Sequence, residues 1–325
     1  MSLLEIKNAS VTYKTSSNSI YAVQNVSFDI EQQDSVGIVG ESGSGKSTLA
    51  MMILKLLSNE TAECTGKVYF EGKELLSMSQ NEFDDMRWTE IAAVFQKSMN
   101  ALSPVHRIGK QLVKIYKVHQ PHASKEEAKK RVLELFEMVN LPPRVFDLYQ
   151  HELSGGMMQR VSIALSLMFN PKLIIMDEAT TALDVITESQ ILEEIINLEK
   201  SLKITRIMIT HDMSIVANTC KKVAVMYAGH LLEYGLVTDV IANPMHPYTI
   251  GLLKSFPNFE GERTEIFSMS GSLPDLSKKT VGCCFAPRCP YAQKKCLEEA
   301  PEAILYEHGR QVSCHYVQGG SNGKL

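Results

Sequence analysis

The chain has 325 residues, 44% of them hydrophobic and 22% charged, with a formal net charge of −4. That length can bury a sizeable core and leaves room for two domains. The mildly acidic balance argues against a nucleic-acid binder, which carries a basic excess or stripe. The longest apolar stretches, "VSIALSLMF" and "LIIM", fall far short of a bilayer span. The start "MSLLEIKNAS" lacks the basic and apolar parts of a secretory signal, so a cytosolic chain with reduced thiols is expected.

In chain order, "YAVQNVSFDI" (Tyr21–Ile30) alternates in polarity and predicts a half-exposed antiparallel strand. "SVGIVG" (Ser35–Gly40), "IAAVFQ" (Ile91–Gln96), "LIIMD" (Leu173–Asp177) and "RIMIT" (Arg206–Thr210) are compact apolar runs, as strands covered on both faces should be. Helical patterns lie between them. "KSTLAMMILKLL" predicts a helix from Lys46 to Leu57. In "SKEEAKKRVLELFEMVN", Ser124 and Glu127 have capping-box spacing, and Ala128, Val132, Leu135, Phe136 and Val139 share a face. "TESQILEEIINLEK" repeats the pattern through Ile191, Ile195 and Leu198. The alternation of strand and helix predicts an α/β protein. After about Asn258 it stops and Pro, Gly, Ser and Cys rise, which places a boundary between 1–258 and 259–325.

"GESGSGKST", Gly40–Thr48, follows a predicted strand and opens a predicted helix, with the spacing of a P-loop. Its glycines let backbone N–H groups turn onto phosphate oxygens, and the helix N-terminus adds a favourable dipole. In that reading Gly40, Ser42, Gly43, Ser44, Gly45 and Thr48 form the cradle. Lys46 reaches the β- and γ-phosphates of ATP, and Ser47 ligates Mg²⁺. "LIIMDE" ends an apolar strand on two carboxylates: Asp177 would hold the metal and Glu178 polarise the attacking water.

Between these lies "LSGGMMQR", Leu153–Arg160, where the chain resembles the ATP-binding subunits of ABC transporters. The resemblance implies a P-loop ATPase domain with a mixed central sheet, an antiparallel β-subdomain and a helical subdomain over about 98–168. It implies that Tyr13 stacks on adenine, that Gln96 is a Q-loop residue on Mg²⁺ or its water, that Asp184 in "TTALD" is the D-loop aspartate and that His211 in "ITHD" contacts γ-phosphate. It also implies that Ser154, Gly155 and Gly156 meet the nucleotide held by another subunit. One P-loop and one signature cannot complete such a site, so a second copy or a paralogue is required. "FQKSMNALSPVHRIGKQL", "HELSGGMMQRV" and "NPMHPYTIGLLKSFP" resemble the oligopeptide and dipeptide importer branch. That branch implies two permease subunits, an extracytoplasmic binding protein, and a peripheral position on the cytoplasmic face of the membrane, with peptides or nickel chelates as cargo. Ala179 and Met158 depart from the branch, which usually carries proline and a basic residue there. A soluble ATPase acting on nucleic acid and an ATP-dependent metal or redox sensor are the alternatives.

The C-terminal segment holds Cys283, Cys284, Cys289, Cys296 and Cys314, against only Cys64 and Cys220 upstream. It resembles the cysteine-rich extension of the same importer ATPases, some of which bind a [4Fe–4S] cluster through cysteines matching Cys283, Cys289, Cys296 and Cys314. Spacings of five, six and seventeen residues suit a cluster better than a zinc knuckle. Zinc and bare reduced thiols remain open. Cys284 is additional to the pattern, and a metal is expected to staple a segment too short for its own core.

Overall fold

The computed structural model describes residues 2–15, 18–95, 102–180, 183–255 and 271–318. The strands are β1 (Ser2–Lys14), β2 (Ser19–Glu31), β3 (Ser35–Val39), β4 (Ala62–Phe70), β5 (Lys73–Glu74), β6 (Ile91–Phe95), β7 (Leu173–Asp177), β8 (Thr205–Thr210), β9 (Lys222–Tyr227), β10 (His230–Leu236), β11 (Ile304–Leu305) and β12 (Gln311–Val312). The chain forms two compact units, one of Met1–Met78 with Met208–Leu325 and one of Ser79–Ile207. The expected boundary at 258/259 falls in 256–270, outside the described residues.

In the first unit, β1 pairs antiparallel with β2 and β4, and β5 extends β4. Alternation explains this sheet: Val23, Val26, Phe28 and Ile30 of β2 are buried while their neighbours are less covered. The other sheet of this unit is mixed. β3 runs parallel to β9, with Ile38 opposite Ala224, whereas β10 is antiparallel to β9 and also pairs with β12. All five residues of β3 are buried, as its unbroken apolar run requires.

The C-terminal segment shares this unit's core. Cys284 and Phe285 pack with Tyr227, Tyr248, Val225 and Leu252, Tyr21 N–H donates to Leu276 O (2.9 Å), and Ser313 N–H to Leu232 O (2.9 Å). The expectation that the segment is too short for a core is met by packing: its described part does not depend on a core of its own.

In the second unit β6 and β7 are parallel, with Ala93 opposite Ile175. The helix Lys125–Met138 begins with the expected capping box: Ser124 Oγ accepts from Glu127 N–H (3.0 Å) and Glu127 Oε2 accepts from Ser124 N–H (2.7 Å). Its Ala128, Val132, Leu135 and Phe136 are fully buried. Arg160 pairs with Glu194 at 2.8 Å, and the buried Arg206 with Glu199 at 2.9 Å.

The helix after the P-loop is shorter than its sequence predicts, Lys46–Ile53. Lys55 takes a left-handed conformation (φ 50) and Leu56 N–H closes onto Met51 O at 2.9 Å, so the last apolar residues leave the helix through a C-terminal cap.

Candidate functional site

The P-loop is built where β3 turns into the helix Lys46–Ile53. Two of its glycines are dictated by space. A Cβ on Gly40 would lie 2.0 Å from Met226 O, and one on Gly45 (φ 96) would lie 2.2 Å from Ala22 O. The loop is thereby pressed against neighbouring backbone. Lys46 is buried, and its ammonium donates to Gly40 O (2.8 Å), Glu41 O (2.9 Å) and Ser44 Oγ (3.3 Å). Ser44 is wholly buried and its carbonyl accepts from Gly229 N–H at 3.0 Å. Ser42 and Gly43 are exposed, and Ser47 is half-buried.

Tyr13, near the end of β1, donates its hydroxyl to Thr48 Oγ1 at 3.4 Å, which ties the expected adenine platform to the helix after the P-loop. His211 is exposed directly after β8. Asp212, next to it, caps the helix Met213–Thr219 by accepting from Ser214 N–H at 2.7 Å.

The second unit holds the other expected residues. Asp177 ends β7 and is buried, and Glu178 follows with φ 48. Ser154 is an exposed N-cap: its Oγ accepts from Met157 N–H (3.3 Å) at the start of the helix Gly155–Ser166. Asp184 caps Val185–Leu202 by accepting from Thr187 N–H (2.9 Å) and Oγ1 (2.7 Å). Those bonds hold its carboxyl below the usual carboxylate range. The two helix starts lie against each other, since a Cβ on Gly156 would stand 2.7 Å from Thr187 Cγ2. The signature glycines and Asp184 are thus neighbours. Beside them runs an open groove of about 560 Å³ lined by Leu102, Pro104, His151, Leu153, Ser154 and Met158. Gln96 lies outside the described residues.

The tail cysteines gather but do not close on a point. Burial pushes the Cys289 thiol up to about 11, and charge on Cys314, Cys283 or Cys296 would raise it further. Burial also raises Cys314. Cys283 is lowered chiefly by a hydrogen bond from the Cys284 thiol, with His246 assisting, and Cys284 is raised in turn. Two of the sulfurs also meet backbone groups: Cys284 Sγ approaches Tyr227 O at 3.7 Å, and Cys296 Sγ accepts from Gln293 N–H at 3.5 Å. Among the described residues no three His, Cys, Asp or Glu are placed to share a metal. Cys283, Cys289, Cys296 and Cys314 thus offer soft donors near one another without forming a site for a single metal ion.

An ABC transporter family model matches residues 23–181, and a model for the oligopeptide/dipeptide transporter C-terminal region matches 232–296. The oligopeptide transport ATP-binding protein OppD of Bacillus subtilis is 42% identical over 97% of this chain and 88% of its own. The chain belongs to the ABC transporter ATP-binding proteins, within their oligopeptide/dipeptide branch. The dipeptide transport ATP-binding protein DppD of Escherichia coli is 38% identical, covering 97% of each chain. Among solved structures, the dimeric post-hydrolysis state of the ATP-binding cassette MJ0796 with ADP and Pi aligns at TM-score 0.65 and 31% identity, over 72% of this chain and 98% of that one. As a member of this branch the protein is an ATPase. Among the described residues no helix is long and apolar enough to cross a membrane.

Two contacts of the P-loop had no sequence signal. Tyr248 Oη accepts from Glu41 N–H at 3.0 Å, and Arg288 pairs with the Glu41 carboxylate at 3.0 Å. "HPYT" marks the branch by its letters, but nothing local says that its tyrosine reaches the phosphate loop. Only the fold brings residues this far apart together.

Proposed function

We propose that this protein powers uptake of peptides across the cytoplasmic membrane, as one of two ATPase subunits that close on shared nucleotides beneath two permease subunits. An extracytoplasmic binding protein delivers the cargo. Lys46 and the P-loop N–H groups bind the β- and γ-phosphates, with Tyr13 against the adenine. Ser47, Asp177 and Gln96 are hard-oxygen donors suited to Mg²⁺, which neutralises charge on the phosphate oxygens when bound. Glu178 orients and polarises the attacking water, and His211 holds the γ-phosphate. Ser154, Gly155 and Gly156 grip the nucleotide of the partner subunit, beside Asp184. Loss of the γ-phosphate removes that grip and favours opening.

The observation that carries this reading is the buried Lys46 inside a loop whose Gly40 and Gly45 admit no side chain. It is supported by near full-length relatedness to proteins named for oligopeptide and dipeptide transport. The test is uptake of a radiolabelled tripeptide by cells lacking the chromosomal copy. The wild-type gene should restore uptake, and Lys46→Ala and Glu178→Gln should not. Uptake restored by Lys46→Ala would remove ATP hydrolysis by this chain from the mechanism.

The finer reading of the tail, with Cys283, Cys289, Cys296 and Cys314 as thiolate ligands of a [4Fe–4S] cluster or of zinc, is supported by their proximity and soft donor chemistry. Iron, sulfide and zinc analysis of anaerobically purified protein decides between the two and bare thiols.

A further inference from the structure

Three parts of the chain meet at Glu41, the first variable residue of the P-loop. Its N–H donates to Tyr248 Oη (3.0 Å) and its carbonyl accepts from Lys46 Nζ (2.9 Å). Both carboxylate oxygens accept from Arg288 Nη1 at 3.0 Å. The Arg288 side chain is only 7% exposed and that of Glu41 31%, so this pair is better shielded than most surface ion pairs. Arg288 has little freedom to leave. It donates to Tyr227 Oη at 3.2 Å and lies 5.5 Å over the Tyr227 ring. Tyr227, Tyr248 and Phe285 form one aromatic cluster beneath it, with ring centroids 4.8 to 5.4 Å apart. The same C-terminal segment places Leu273 Cδ1 3.4 Å from where a Cβ on Gly43 would sit.

A carboxylate is an odd group to find in a loop built to bind anions. Left uncompensated, Glu41 would repel a polyphosphate and compete with it for the loop's N–H groups. We propose that Arg288 is a positioning residue of the nucleotide site, supplied by the C-terminal segment, which neutralises and fixes Glu41 so that the P-loop accepts phosphate. The inference rests on the P-loop being the nucleotide site, and it adds that nucleotide affinity depends on a residue next to Cys289. Whatever displaces residues 283–289 then weakens nucleotide binding.

The experiment is equilibrium binding of a fluorescent ADP analogue to the full-length chain. ADP needs no second subunit, so the result is independent of dimerisation and transport. Arg288→Ala should weaken binding about five- to tenfold, and Arg288→Ala with Glu41→Gln should bind within about twofold of wild type, because no carboxylate is left to mask. A purely structural role for Arg288 predicts no rescue, since a neutral side chain at position 41 cannot repack the C-terminal segment. Should Arg288→Ala fail to fold, Arg288→Met keeps the aliphatic stem, removes the charge and is judged by the same criteria. Binding by the single variant within twofold of wild type overturns the inference, as does a double variant no tighter than the single. Lys46→Ala serves as the control: if it binds as tightly as wild type, the P-loop reading itself has failed.

Discussion

Arg310, in the C-terminal segment, donates through Nε (3.1 Å) and Nη2 to Glu233, whose side chain is wholly buried on β10. The carboxylate also accepts from Met245 N–H (3.1 Å) and His246 N–H (3.0 Å), and Arg310 donates further to Asp239 O and Asn243 O. One buried charge pair thus ties β10, the turn before Pro247 and the C-terminal segment together. Removing one member of such a pair leaves an uncompensated buried charge. Arg310→Ala should cost about 3–5 kcal/mol of stability, read as a lower urea midpoint. A loss below about 1 kcal/mol, the value of a surface pair, would mean that water reaches Glu233.

Gly45 sits at φ 96 with Ala22 O in the space a Cβ would occupy. Gly45→Ala must therefore push the P-loop off β2 as well as strain its own backbone, at a cost of about 1–3 kcal/mol for the conformation alone. Nucleotide affinity should fall more than tenfold while far-UV circular dichroism stays near wild type. Unchanged affinity would show that the loop relaxes without losing its cradle.

Much of this was legible in the sequence because its signals are local. The apolar runs read at Ser35–Gly40 and Leu173–Asp177 became the strands Ser35–Val39 and Leu173–Asp177, since a mostly apolar run of this length needs cover on both faces. The Ser124–Glu127 box formed because its hydrogen bonds close within one turn. Glu233, Arg288 and Arg310 gave no sign, because an isolated charge on a strand or in a loop looks solvated until the chain returns over it. The packing of the tail was illegible for a different reason. The density of its cysteines suggested a segment dependent on metal, but Phe285 and Cys284 enter a core furnished by β9 and the helix Pro247–Lys254. Cys284, which the cysteine pattern leaves over, is buried there.

Ser154 has two separable duties. As the N-cap of Gly155–Ser166 it accepts from Met157 N–H, and Ser→Ala at such a position costs about 1 kcal/mol. As an exposed hydroxyl beside Gly156 it is proposed to meet the partner's nucleotide. Ser154→Asn should keep the cap and thermal stability, since asparagine caps as well as serine, and still lose more than tenfold in ATPase rate of the assembled transporter. Full activity in Ser154→Asn would reduce Ser154 to a cap.

His230 opens β10 immediately after the Ala228–Gly229 turn, and its Nε2 is buried without a hydrogen-bond partner. Burial lowers its pKa below the ordinary 6.5, outweighing an opposing effect from charge on Cys283. The folded state therefore holds this imidazole neutral at a pH where the unfolded chain already binds a proton. Stability from that difference is whole above about pH 6.5 and is lost as pH falls below it. Because Gly229 N–H bonds Ser44 O at 3.0 Å, loosening this hairpin should also slacken the P-loop. The thermal midpoint of the wild type should thus drop more steeply from pH 7 to 5 than that of His230→Leu, and ADP affinity should fall with it. Parallel pH profiles for the two proteins would show that the acid sensitivity of the fold lies elsewhere.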